Sequence, residues 1–310
     1  MASNNRITKV AIVGVRWRQR GQVHDRSPSQ TGKHTVTAIT RIDSQTPLPE
    51  GVSVKKVDYN KPGTVVEALR GQDALVVTLS GHALSLQDNL TKAAGEAGVP
   101  WILPNAWGPN VTDEALVRDV PMFKPFVSTG FWYEWSLAIP PAFGLDLKNR
   151  SVTLFDEGRT KISISSWPQV GRAVAALLSL PIRSEGSDKS ACLENFKNQL
   201  VYVNSFTINQ KDMLESVLRV TATKESDWSI AKEPAQERYA AGQKEMQAGN
   251  RAGFGKVMYT RVLFTDGVGD TEHSRGTINK VLGLEKDDAH FDEYTKVALE
   301  RSKSPQWHKQ

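Results

Sequence analysis

Residues that follow three apolar runs in the first third of the chain could hold an anionic nucleotide. Gly14 ends the first run, Arg41 ends the second, and Thr78 and Leu79 lie at the end of the third. An arginine directly after a second strand accommodates a ribose 2′-phosphate, whereas an acidic residue there favours the free 2′-hydroxyl. The position of Arg41 therefore favours NADP(H) over NAD(H). A solvent-facing arginine at a strand end is the alternative.

The elements that must position these residues alternate between short strands and helices. Apolar, β-branched runs predict strands at residues 9–14, 35–41, 53–59, 74–80, 100–104 and 126–130. Apolar residues at helical spacing predict helices at residues 64–70 and 86–98. This alternation indicates an α/β fold with a parallel sheet, in which ligands bind beyond the carboxyl ends of the strands. We expect the residues above to border one crevice there.

The pattern changes after about residue 150. Strands are predicted at residues 151–155, 201–206 and 256–264, and helices at 167–180, 209–220, 233–247 and 290–303. We therefore divide the chain into a Rossmann-like nucleotide-binding domain, residues 1–150, and a smaller α+β substrate domain, residues 151–310.

The cysteine count, hydropathy, charge and histidine positions argue against several classes of protein. The single cysteine, Cys192, allows no internal disulfide, and no apolar run approaches the roughly 20 residues that span a bilayer, so we expect a cytoplasmic protein without membrane contact. Most of the net charge of +5 comes from residues 16–33, which bring no aromatic platform, so we expect no nucleic-acid partner. The six histidines are scattered, and we expect no metal site.

Five segments together resemble the NmrA-like and isoflavone reductase-like proteins, atypical short-chain dehydrogenase/reductases common in fungi. They are KVAIVG at 9–14, TVTAITR at 35–41, WILPNAWG at 101–108, STGFWYEWS at 128–136 and WPQVGRAVAALLSL at 167–180. The resemblance implies a Rossmann-like NAD(P)-binding domain and a small substrate domain. Many members are NADPH-dependent reductases, and others bind the dinucleotide as regulators without turnover.

The resemblance also supplies candidate residues. It implies that Asn105 and Trp107 lie near the nicotinamide, although Ala106 stands where an acidic residue is expected. Phe131 and Trp132 are the candidate substrate contacts, with a purely structural place in the core as the alternative. The cofactor-binding candidates are Gly14, Arg41, Thr78, Leu79, Asn105 and Trp107.

The glycine turn of the family is missing. The pattern Gly-x-x-Gly-x-x-Gly lets backbone N–H groups approach a pyrophosphate at a helix N-terminus, but Trp17 and Arg20 occupy the second and third glycine positions. Synonymous codons for residues 15–30, when read one nucleotide later, give glycine at 17 and 20 followed by a good helix. We hypothesise a local frameshift, and expect the chain as it stands to bind NADPH weakly.

A second departure follows Lys124. Family reductases that use a catalytic lysine as general acid/base carry it on a helix before the STG strand, but here Phe126 follows almost at once, so Lys124 cannot be matched to it. Tyr-x-x-x-Lys and Gly-x-Ser-x-Gly are also absent, so the catalytic residues stay unknown. The favoured function is an NADPH-dependent oxidoreductase for a small, aromatic or secondary-metabolite substrate. The alternatives are a redox-sensing regulator with a protein partner, or an inactive product of a frameshifted gene.

Overall fold

The computed structural model of the protein describes residues 5–14, 32–79, 81–109, 127–186 and 189–303, without the side chains of residues 81, 82, 84 and 251. The predictions for residues 16–30, for Lys124 and for the junction beside it lie outside these residues.

Five parallel strands form the central sheet, in the order β3-β2-β1-β4-β5. They are β1 (Lys9–Val13), β2 (Thr35–Arg41), β3 (Ser53–Val57), β4 (Ala74–Val77) and β5 (Trp101–Leu103). The inner strands β1 and β4 are apolar and almost wholly buried, as expected of parallel strands covered on both faces. The predicted α/β fold with a Rossmann-like parallel sheet is confirmed.

Two helices cover one face of this sheet. Helix α1 (Pro62–Leu69) begins with a proline, whose missing N–H costs nothing at that position, and α2 (Gln87–Glu96) follows a short 3₁₀ turn. Leu69 and Leu90 are fully buried and pack with residues of β1 and β4. Both helices start at the carboxyl edge of the sheet, so their first turns border the predicted crevice.

The described residues after β5 form short helices and three small sheets. The helices are α3 (Tyr133–Ser136), α4 (Pro140–Phe143), α5 (Trp167–Ser179), α6 (Gln210–Thr221), α7 (Ala235–Gln247), α8 (Arg251–Arg261), α9 (Thr271–Arg275) and α10 (Phe291–Ser302). The strands are β6 (Val127–Ser128), β7 (Phe131–Trp132), β8 (Leu145–Asp146), β9 (Ser151–Phe155), β10 (Ile162–Ser165), β11 (Val201–Tyr202), β12 (Phe206–Ile208) and β13 (Ser229–Glu233). They pair as β12-β10-β7, β11-β6 and β13-β9-β8.

Two sequence expectations in this part are wrong. Residues 256–264 were expected to be a strand but belong largely to helix α8, because the Asn250 side chain caps the helix by accepting from the Ala252 amide. Gly253 of α8 also lies so close to Gly242 of α7 that a Cβ would meet the Gly242 carbonyl oxygen at 2.5 Å. Residues 201–206 were expected to form one strand, but β11 and β12 lie in different sheets.

Helix α5 covers the second face of the central sheet. Ser166 caps it by accepting from the Gln169 amide at 3.2 Å, and Leu178 packs in one cluster with Val10 and Ile12 of β1.

A second, aromatic cluster joins residues 131–147 to the later helices, with Phe131 stacked on Tyr259 at 4.0 Å. The division of the chain at residue 150 stays a prediction.

Candidate functional site

Gly14 lies directly against the end of strand β4. Its φ of +87° is a conformation that other residues adopt only with strain, and a Cβ there would meet the Thr78 carbonyl oxygen at 2.4 Å. The Thr78 amide and hydroxyl both donate to the Val13 carbonyl oxygen at 2.8 Å. Gly14 therefore allows the ends of β1 and β4 to pack backbone against backbone, and the residue itself is exposed at that edge of the sheet.

Asn105 ties the loop after β5 to the loop after β4. Its side-chain amide donates to the Leu79 carbonyl oxygen at 3.0 Å, and its backbone amide donates to Gln87 Oε1 at 2.7 Å. Trp107 Nε1 donates to the Val77 carbonyl oxygen at 2.7 Å. The structure thus brings together five of the six cofactor-binding candidates, namely Gly14, Thr78, Leu79, Asn105 and Trp107.

The same loop reaches the segment that contains the substrate candidates. The Gly108 carbonyl oxygen accepts from the Thr129 amide at 3.0 Å and from Ser128 Oγ at 3.1 Å. Ala106, which stands where an acidic residue was expected, is buried beside it. These bonds hold residues 105–108 next to the start of strand β7.

Arg41 lies at the carboxyl end of β2, apart from this hydrogen-bonded group. Its side chain is 70% exposed and forms a loose ion pair with Asp43 at 3.5 Å. Because such exposed pairs contribute about 1 kcal/mol or less, the guanidinium can exchange Asp43 for another anion at small cost.

Tyr59, which the sequence did not single out, lies near Arg41. Its hydroxyl donates to the Ile39 carbonyl oxygen at 3.3 Å. Burial raises the pKa of Tyr59 to about 12, although the positive charge of Arg41 acts in the opposite direction. A shallow cleft opens beside this ring, lined by Tyr59, Pro62, Val65, Leu86, Asn89 and Leu90. The position of Tyr59, between the end of β3 and the first turn of α1, is the sequence signal that could have pointed to this residue.

The two substrate candidates differ in their surroundings. Phe131 is buried, stacked on Tyr259, and lines a small cavity with Gly130 and Ser163. Trp132 is partly exposed, and its buried Nε1 has no hydrogen-bond acceptor among the described residues. Their roles in substrate binding stay predictions.

A buried carboxyl pair lies at the N-terminus of helix α5. Both carboxyl oxygens of Glu134 accept from the Trp167 amide, at 3.0 and 3.1 Å. Asp287 accepts from Ser166 Oγ and Ser205 Oγ, each at 2.7 Å. Burial raises the pKa of Glu134 to about 8 and the negative charge of Asp287 adds to this, whereas backbone donors and Arg301 lower it.

Within the described part of the chain, no group of three or more His, Cys, Asp or Glu side chains is placed to hold a metal ion. None of the described helices is long and apolar enough to cross a membrane.

Comparison with known proteins adds independent findings. Residues 26–114 match the model of an NAD(P)H-binding family. "Oxidoreductase poxI" of Penicillium oxalicum is 25% identical over 247 residues, 71% of this chain and 72% of that protein. The structure resembles those of pinoresinol-lariciresinol and phenylcoumaran benzylic ether reductases (TM-score 0.63, 15% identity, 93% and 99% of the two chains). It also resembles Citrobacter sp. triphenylmethane reductase complexed with NADP(H) (TM-score 0.53, 17% identity, 93% and 99%).

The Rossmann-like sheet and the match of residues 26–114 to an NAD(P)H-binding family support NADP(H) as the cofactor, as expected. These similarities support the resemblance of the chain's motifs to the NmrA-like, isoflavone reductase-like proteins. The matched residues begin at position 26, after the missing glycine positions 17 and 20.

Proposed function

We propose that the protein is an NADPH-dependent oxidoreductase that acts on a small, aromatic or secondary-metabolite substrate in the cytoplasm. The observation that carries this proposal is the hydrogen-bonded group at the carboxyl ends of β1, β4 and β5, in which Asn105 bonds Leu79 and Trp107 bonds Val77. Dinucleotides bind at this edge of open α/β sheets.

Each part of the crevice has a proposed role. Gly14 is exposed at the end of β1 and would offer its backbone to the pyrophosphate, and Arg41 would pair with the 2′-phosphate after it leaves Asp43. Asn105 and Trp107 border the carboxamide end. NADPH, when bound, supplies the hydride, and the protein supplies its position and polarity.

The substrate is proposed to lie beside Trp132. Trp132 is partly exposed, and its ring would offer the substrate an apolar surface. Phe131 would contribute apolar contact at the neighbouring cavity. Two aromatic side chains at this place favour a substrate that contains a ring.

Titration of the purified chain with NADPH and NADH, followed by cofactor fluorescence, tests the cofactor. We expect NADPH to bind more tightly than NADH. Loss of NADPH absorbance with a benzylic ether or a triphenylmethane dye, the classes named for the structural neighbours, then tests the reaction. Binding without turnover across such a panel would favour the regulator, and no NADPH binding at millimolar concentration would favour the product of a damaged gene.

A further inference from the structure

We propose that Gln87 is a positioning residue for the dinucleotide crevice, and that it acts through Asn105. This inference rests on the proposed NADP(H) binding. The sequence did not single out Gln87, and the observation behind the proposal is that Gln87 Oε1 accepts from the Asn105 amide at 2.7 Å.

Asn105 forms hydrogen bonds at both ends of the turn between β4 and α2. Its side chain holds Leu79 at the start of the turn, and its backbone amide holds Gln87 at the end. The loop after β5 and the turn after β4 thus keep a fixed separation at the edge where the cofactor lies. A substitution of Gln87 that removes the acceptor would break the hydrogen bond at one end of this turn.

The two residues that this hydrogen bond joins, Gln87 and Asn105, lie in elements of different rigidity. Gln87 is the first residue of α2, whose buried face, including Leu90 and Ala94, packs on the central sheet. Asn105 lies in a loop, which has no hydrogen-bond ladder of its own. The helix therefore gives the start of this loop a rigid anchor beside the bonds to β4, and Gln87 transmits the position of the helix to Asn105.

Gln87→Met tests the proposal because methionine keeps the length of the side chain and removes the strong acceptor. We expect the NADPH dissociation constant to rise five- to tenfold, deuterium exchange at the Asn105 amide to become at least tenfold faster, and the midpoint of thermal unfolding to change by less than about 2 °C. Lys92→Met is the matched control, because Lys92 is exposed and lies in the same helix. It should leave all three quantities unchanged.

Gln87→Glu is the rescue variant, because a carboxylate oxygen can still accept from the Asn105 amide. We expect it to restore slow exchange at Asn105, and in 0.5 M salt, where screening weakens charge repulsion, to restore NADPH affinity to within about threefold. Unchanged affinity in Gln87→Met, or no rescue by Gln87→Glu, would overturn the positioning role while leaving NADPH binding by the unaltered chain intact. Failure of the unaltered chain to bind NADPH would overturn the proposed function as well.

Discussion

Gly14 and Thr78 approach each other so closely that no side chain fits between them: a Cβ on residue 14 would lie 2.4 Å from the Thr78 carbonyl oxygen. Gly14→Ala should therefore separate β1 from β4 and lower the free energy of unfolding by about 2–4 kcal/mol, from positive-φ strain plus the clash. Chemical denaturation measures this loss.

The matched control is Gly51→Ala. Gly51 has a similar φ of +82° but nothing within 4 Å of the added Cβ, so it isolates the conformational cost. We expect a loss of about 1 kcal/mol there. Equal losses in the two variants would show that the contact with Thr78 adds nothing.

Arg41→Ala should weaken NADPH binding about three- to twentyfold and leave NADH binding unchanged, because only NADPH carries the 2′-phosphate. The range reflects a charge-assisted hydrogen bond at an exposed position. Fluorescence titration with both cofactors measures it. Arg70→Ala, which removes another exposed arginine in an ion pair, is the control. A parallel loss of NADH affinity would contradict a 2′-phosphate role for Arg41.

Glu134 should make stability fall as pH rises. Its pKa of about 8 in the folded chain lies above the ordinary 4.5, so folding takes up a proton between these values, and the stabilisation is lost as pH rises towards 8. Between pH 6 and 8 the decline should be about 2 kcal/mol or less. Glu134→Gln should abolish it in denaturation curves, whereas Glu300→Gln, at an exposed site, should not. An identical decline in Glu134→Gln would assign it to another group.

Glu272 should have the opposite dependence. Burial raises its pKa, but hydrogen bonds from Lys286, Thr207 and Asn204 outweigh this and lower the pKa to about 2. Its stabilisation is therefore present above pH 4.5 and lost as pH falls from 4.5 to 2. Glu272→Gln should cost about 1–2 kcal/mol at pH 7 and nothing near pH 2. Glu215→Gln, exposed on α6, is the control. A cost that persists at pH 2 would contradict this.

Restoring the glycine turn should strengthen NADPH binding. The combined change Trp17→Gly and Arg20→Gly, with the frame-shifted helix sequence after it, regains two or three charge-assisted hydrogen bonds of about 1.5–3 kcal/mol each. This corresponds to roughly two to six orders of magnitude in affinity. Calorimetry on both chains measures it, with alanine at both positions as the control. Equal micromolar affinities would make the arginine-rich segment a genuine phosphate site and refute the frameshift hypothesis.

The central sheet could be predicted because parallel strands buried on both faces are continuous apolar runs, as Ala74–Val77 shows. The predicted strand at residues 256–264 was wrong because Val257 and Tyr259 favour strands in isolation. The cap at Asn250 and the close contact of Gly253 with α7 stabilise a helix there instead. Tertiary packing overrode local preference there.

The candidate site was partly predictable for a related reason. Gly14, Thr78 and Asn105 follow strands, and parallel strands bring their carboxyl ends to one edge. Gln87 joins Asn105 through a hydrogen bond and Tyr59 lines a cleft, and both contacts depend on how helices pack. No residue pattern encodes these contacts, although the place of Tyr59 after β3 could have drawn attention to it. Ala106 stands where an acidic residue is expected, and the sequence motifs indicate no other residue that could take its role.

The cover that α5 provides has a consequence for synthesis on the ribosome. All five strands of the central sheet are complete at Leu103, but Leu177 and Leu178, which bury the face formed by Val10 and Ile12, emerge only later. At ordinary translation rates this gap of roughly 75 residues lasts about 4–15 s. During that time a nascent sheet would present bare aliphatic side chains, the surface that chaperones of the exit tunnel bind.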